Sequence, residues 1–138
     1  MRAFILCCTL LAMPVSAVAQ EQQFDLICQT KFKPRVFAKA EAGERRYRID
    51  LAAMLWCYGN CDNTNDIASV TNTQLTFTEV SEDGLRAERS ELHWVDRQTG
   101  KLTYSLFSRN ALGTRYEKLE GACERVPFSG FPKPLTKF

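Results

Sequence analysis

Trp56-Cys57-Tyr58-Gly59-Asn60-Cys61 puts two thiols and two large aromatic rings within six residues. Two cysteines this close have three chemistries open to them: thiol–disulfide exchange, metal ligation, or a plain cystine that closes a loop. Exchange sites use Cys-x-x-Cys at a helix start, where the helix N-terminus lowers the thiol pKa. Here three residues separate the cysteines, and the sequence that follows, Asp62-Asn63-Thr64-Asn65-Asp66, is turn chemistry rather than a helix. Zinc needs about four nitrogen or thiolate ligands, and no second cysteine pair of matching spacing is present. The spacing therefore predicts a cystine-locked turn, with no metal and no cofactor. Trp56 and Tyr58 flank that turn and are the candidate binding residues. Pointing outward they would form a pre-organised edge of the kind that anchors partners; pointing inward they would cap a small core. The sequence favours the inward position for Trp56 and leaves Tyr58 undecided.

The other candidate groups are sparse. His93 is the only histidine, so a Ser-His-Asp or Cys-His site would have to use it. No Gly-x-Ser-x-Gly elbow accompanies it. Asp62-Asn63-Thr64-Asn65-Asp66 resembles the start of a calcium loop, but Ile67 and Thr73 stand where an EF-hand requires Gly and Glu. Asp50, Glu79, Asp96, Glu117 and Glu120 fall on or near expected strands, and any two could work as acid and base only if the fold brought them together. Lys31, Lys33, Arg35 and Lys39 form a basic stretch that could meet an anionic membrane surface or glycan, or simply be solvated. No catalytic set emerges, and the reading leans away from an enzyme.

The chain's start gives these groups a compartment. Arg2, the apolar run Ala3–Met13, Pro14 and Ala17-Val18-Ala19 carry the three regions of a cleaved secretory signal. The run is too short for a transmembrane helix, which needs about 20 apolar residues. Residues 1–19 are thus expected to be removed, leaving 119 of the 138 residues, a length suited to one domain. Cys7 and Cys8 leave with the leader, so four of the six cysteines remain: Cys28, Cys57, Cys61 and Cys123. An even number in a secreted chain of this size implies two disulfides. Cys57–Cys61 with Cys28–Cys123 is the favoured pairing. Cys28–Cys57 with Cys61–Cys123, and Cys28–Cys61 with Cys57–Cys123, stay open. Charges of both signs are mixed, and no dense basic run with interleaved aromatics suggests nucleic acid. The implied address is the periplasm or the extracellular medium, and oligomeric state is not encoded in any pattern.

The elements that must position these groups read as β-strands. Phe24, Leu26 and Cys28 fall on one face of a strand by their spacing of two, and Tyr47, Ile49 and Leu51 alternate with the charged Arg48 and Asp50. Leu75 and Phe77 alternate with threonines, the pattern of one wet and one dry face. Arg86 to Asp96 and Lys101 to Phe107 form a hairpin. A three-residue loop, Gln98-Thr99-Gly100, sets Arg97 opposite Lys101. Trp94 then faces Tyr104 and Leu92 faces Leu106 inside, with His93 exposed on the other side. Thr114–Leu119 and Ala122–Val126 supply the last strand or two. The expected fold is all-β: a small antiparallel barrel or sandwich of six to eight strands, stapled by disulfides, spanning residues 20–126. Residues 127–138, rich in Pro and Phe, form an extended segment lying against it.

Several stretches resemble a group of uncharacterised small secreted proteins of Gram-negative bacteria: Phe24–Cys28, Tyr47–Leu51, Trp56–Cys61, Val95–Gly100 and Gly121–Phe128. The likeness implies a periplasmic address and carries no chemical role to any residue. A second likeness is to periplasmic lysozyme inhibitors. In those small β-barrels a first-strand cysteine is bridged to one near the C-terminus, as Cys28 and Cys123 would be. Gly113-Thr114-Arg115-Tyr116 resembles their Gly-x-x-Tyr segment, but the Ser and Lys that they insert into lysozyme have no counterpart here. The expected function is a non-enzymatic domain that binds a protein or glycan of the cell envelope. The alternatives are a lysozyme inhibitor and a carboxylate-dependent hydrolase.

Overall fold

The computed structural model describes residues 22–85 and 87–132. The expected signal segment and the end of the C-terminal segment lie outside them. Among the described residues nine antiparallel strands form one sheet: β1 (Gln23–Lys33), β2 (Glu41–Asp50), β3 (Leu55–Tyr58), β4 (Asn65–Asp66), β5 (Ser69–Val70), β6 (Gln74–Asp83), β7 (Glu88–Asp96), β8 (Lys101–Asn110) and β9 (Gly113–Pro127). Their order is β4-β3-β2-β1-β9-β8-β7-β6-β5, so the last strand lies between the first and the eighth. The sheet curls into a half-barrel. The strand count exceeds the expected six to eight because β4 and β5 stand as separate strands of two residues each.

Those two short strands have a structural job. β4 pairs with β3, and β5 with β6. Between them, the Ile67 amide donates to the Met54 carbonyl at 2.8 Å and the Ala68 amide to the Thr76 carbonyl at 3.0 Å. The segment thus switches from one edge of the sheet to the other and draws the two together at one end. Ile67 is buried under the junction.

Alternation along the strands decides the concave face. Phe24, Leu26 and Cys28 of β1, Tyr47 and Ile49 of β2, Leu102 and Leu106 of β8 and Leu119 of β9 all point in and are buried. Between Thr76 and Thr78 a β-bulge interrupts the β6–β7 register, and Phe77 is buried there. Across the barrel the Tyr47 and Phe77 rings stack with centroids 5.2 Å apart.

Both expected disulfides are present. Cys28 and Cys123 are directly opposed on β1 and β9, and Cys57–Cys61 closes the turn after β3. The two alternative pairings are thereby excluded.

The hairpin register differs from expectation by one residue. Val95 pairs with Leu102, His93 with Tyr104 and Trp94 with Thr103. The Asp96 carboxylate accepts from the Gln98 and Thr99 amides, both at 2.8 Å, so the turn begins one residue earlier than hydrophobicity suggests. The loop holds four residues, 97–100, with Gly100 in the left-handed region at φ 72°. A Cβ at Gly100 would come within 2.5 Å of the Cys123 carbonyl oxygen, so only glycine fits there. The slip reverses the faces: His93 and Val95 enter the core, and Trp94 is half-buried on the convex side.

After β9 the chain turns back over the convex face. Asp25 is fully buried there. Its carboxylate accepts from the Ser129 amide at 3.2 Å and from the Ser129 hydroxyl at 2.6 Å. Arg46 stands 4.0 Å away, and Arg48 donates to the Gly130 carbonyl at 2.9 Å. Phe128 and Phe131 meet edge to face at 5.3 Å. Through Pro132, then, the C-terminal segment lies against the convex face of the sheet.

Candidate binding site at the cystine loop

The cystine loop is built outward from β2. Ile49 pairs with Trp56 and Tyr47 with Tyr58, which places both aromatics of the loop on the concave side. Beyond Tyr58 the ladder ends, and the Gly59 amide makes a last bond to the Arg46 carbonyl at 2.9 Å. The chain then reverses, with the Cys61 amide donating to the Tyr58 carbonyl at 3.1 Å. Gly59 and Cys61 both have positive φ, 61° and 57°. Glycine takes that conformation at no steric cost. Cys61 is held in it by the turn bond and by its bridge to Cys57, and both cysteines are buried.

Trp56 is buried, as its sequence position predicts, and its indole N–H donates to the Asp66 carbonyl at 3.2 Å. Tyr58 resolves the other way: 55% of it is exposed. Its ring stacks on Trp56 at 6.4 Å and 24°, and the Arg45 guanidinium sits 5.9 Å from its centroid. The result is one exposed aromatic face on a rigid base. Around it, Gly59, Asn60, Asp62, Asn63 and Asn65 complete an open pocket of about 540 Å³. Among the described residues, none of the four polar side chains in that ring makes a hydrogen bond or ion pair. They face solvent with donors and acceptors free. The sequence favours a plain turn for Asp62–Asp66 over a calcium loop. The asparagines and aspartates of that stretch, immediately after an aromatic cystine loop, are the sign in the sequence of a polar rim.

His93 is the clearest departure from expectation. It is buried, within 5.0–5.4 Å of the Phe77, Tyr104, Tyr47 and Trp56 ring centroids. Its Nε2 lies 3.2 Å from the Tyr47 hydroxyl. Burial, and secondarily the Arg45 charge, push the imidazole pKa down to about 4, while burial pushes Tyr47 up to about 12. Both groups are neutral at pH 7, a hydrogen-bonded pair inside an aromatic cluster.

The carboxylates do not converge as a hydrolase pair. Glu117 and Glu91 both point to the concave side, but Leu106 stands between them on β8. Each forms an ion pair along its own strand, Glu117 with Arg115 and Glu91 with Arg89. The Tyr104 hydroxyl donates to Glu117 at 3.4 Å; burial, then Glu91 and Glu117, raise its pKa to about 12. Asp50 accepts from Gln23 at 2.6 Å and from the Ala53 amide at 2.9 Å, and Asp96 holds its turn. Glu120 pairs with Lys118 at 3.1 Å, and Glu79 is exposed on β6. Among the described residues no cluster of three or more His, Cys, Asp or Glu could hold a metal ion. No helix there is long and apolar enough to cross a membrane.

A second pocket, of about 340 Å³, opens beside the 97–100 loop, with Phe24, Leu26, Leu75 and Val95 as its walls. Its rim groups are already engaged: Arg97 donates to the Thr71 carbonyl at 2.5 Å, and the Arg125 guanidinium lies 4.2 Å over the Phe24 ring.

Comparison with protein-family models, with curated proteins and with solved structures finds no match to this chain.

Proposed function

We propose that this protein is a non-enzymatic binding domain of an oxidising compartment, the periplasm or the extracellular medium, and that its ligand is a glycan of the cell envelope. One observation carries this reading: the exposed Tyr58 ring, backed by Trp56, lies amid Asn60, Asp62, Asn63 and Asn65. A sugar ring has an apolar C–H face and an equatorial belt of hydroxyls. The first stacks on an aromatic platform, and the second needs donors and acceptors at its edge. The Cys57–Cys61 bridge supports this use, since a loop fixed before binding loses little entropy on binding. The two disulfides fit the proposed compartment.

The test is calorimetric titration with soluble peptidoglycan fragments and with a neutral oligosaccharide, on the wild type and on Tyr58→Ala. Saturable binding is expected, weakened tenfold or more in the variant, with an unchanged unfolding midpoint. Equal affinity in both proteins, or no binding of either probe at millimolar concentration, would remove the reading.

A second reading, lysozyme inhibition, is favoured by the Cys28–Cys123 bridge between the first strand and the last. Titration into a lysozyme assay decides it, and undiminished activity at high molar excess would sink it.

A further inference from the structure

β1, β6 and β8 run in the same direction, so the described residues that follow them, 34–40, 84–85 with 87, and 111–112, emerge at one end of the half-barrel. The turns are neighbours. Pro34, Val36 and Phe37 share a depression with Thr114, Arg115 and Tyr116, at the start of β9. Leu85 and Ala87 share another with Asn110 and Ala111. Arg109 and Glu88 join the two hairpin ends at 3.0 Å.

This end carries four of the six large apolar side chains that are exposed among the described residues: Val36, Phe37, Leu85 and Leu112. Phe37, Leu85 and Leu112 have essentially their whole surface in water, at 99%, 109% and 97%. The turns do not require them. Tight turns are made by Gly, Asn, Asp, Ser and Pro, and Gly84, Gly113 and Pro34 already stand in these three. Three separate tips have thus each placed a large apolar group where the fold gains nothing from it. Beside the first tip the charge is of one sign. Lys31, Lys33, Arg35 and Lys39 are exposed, and no acidic residue lies between Gln29 and Ala40.

We propose that this end of the barrel is a docking surface for an anionic lipid membrane. The shape selects the partner. Protein interfaces centre on side chains packed into pockets, whereas Phe37, Leu85 and Leu112 stand almost wholly in water on three separate turns. A bilayer interface accepts isolated apolar groups inserted about 5–10 Å, and its anionic headgroups attract adjacent lysine and arginine. The inference stands independently of the glycan reading, because it uses none of the residues of the cystine loop.

The test uses the chain from Gln20 to Phe138, which contains every described residue. It is mixed with vesicles of phosphatidylcholine carrying 30% phosphatidylglycerol, and with vesicles of phosphatidylcholine alone. Flotation should recover the protein with the anionic vesicles, less with the neutral ones, and less with the anionic ones at high salt. Removing one inserted Phe or Leu should weaken binding by roughly tenfold or more, so Phe37→Ser and Leu112→Ser should each show that loss. Lys33→Glu with Arg35→Glu should abolish the preference for anionic vesicles. Met54→Ser, an exposed apolar residue at the opposite end, should bind as the wild type does. Leu112→Trp, whose emission brominated lipid should quench, reads insertion directly. The proposal is overturned by absence of binding, by binding that survives Phe37→Ser and Leu112→Ser together, or by sedimentation showing that the same tips hold a dimer instead.

Discussion

His93 gives the sharpest prediction. Its pKa is near 6.5 when the chain is unfolded and about 4 when folded, because burial in the aromatic cluster disfavours the imidazolium. Between those values the unfolded chain binds more protons than the folded one. Stability from this group is therefore complete above pH 6.5 and is lost as pH falls toward 4. Integrating over the two values gives a loss of about 2 kcal/mol between pH 7 and pH 5, and about 3 kcal/mol by pH 4. That is a large fraction of the stability of a domain this size. His93→Gln keeps a polar group near Tyr47 but cannot titrate. Urea unfolding at steps from pH 7 to pH 4 should show the wild type falling more steeply than the variant by those amounts, whatever offset the substitution introduces at pH 7. Because His93 is the only imidazole in the chain, its NMR titration needs no assignment by mutation. Parallel stability curves, or an imidazole titrating near 6.5, would refute the reasoning.

Two further outcomes follow from the disulfides and the strap. On the chain-entropy account, Cys28→Ala with Cys123→Ala opens a bridge spanning 95 residues and should cost about 5 kcal/mol, against about 2 kcal/mol for Cys57→Ala with Cys61→Ala, which opens one spanning 4; denaturant midpoints rank the two. Asp25→Ala strips the buried acceptor from Ser129 and should cost roughly 2–4 kcal/mol, while Ser129→Ala should cost about 1 kcal/mol. Faster hydrogen exchange at the Ser129 amide in Asp25→Ala would localise the effect to the strap.

What the sequence disclosed follows its periodicities. Phe24, Leu26 and Cys28, and Tyr47 with Ile49, alternate so regularly that face and strand are read together, and all five are buried. The cystine turn was legible from spacing, since Cys-x3-Cys with an internal glycine has few other uses. The β7–β8 register was not, because it rested on sending Leu92 and Trp94 inward. The two hydrogen bonds from the Asp96 carboxylate set the turn one residue earlier, and a period of two turns that shift into a complete exchange of faces. His93 entered the core by that route. The partner switch at Ile67 and Ala68 left no periodic trace, since strands of two residues are too short to show one. Tyr58 could not be placed from sequence because its exposure depends on where the β2–β3 ladder stops. Leu85 and Leu112 were legible in principle, being large apolar residues in turn positions.

The place of β9 has a consequence for the life of the chain before it is folded. In the sheet's ladder, β4-β3-β2-β1 and β8-β7-β6-β5 are joined by this last strand, which pairs with β1 on one side and β8 on the other. A chain still being synthesised lacks the strand that stands between β1 and β8, and the facing edges of those two strands stay open to other strands. The Cys28–Cys123 bridge must also wait, since Cys123 arrives with β9. Closure of this sheet between β1 and β8 therefore waits for β9, and a factor that shields those two edges would have to act until it arrives.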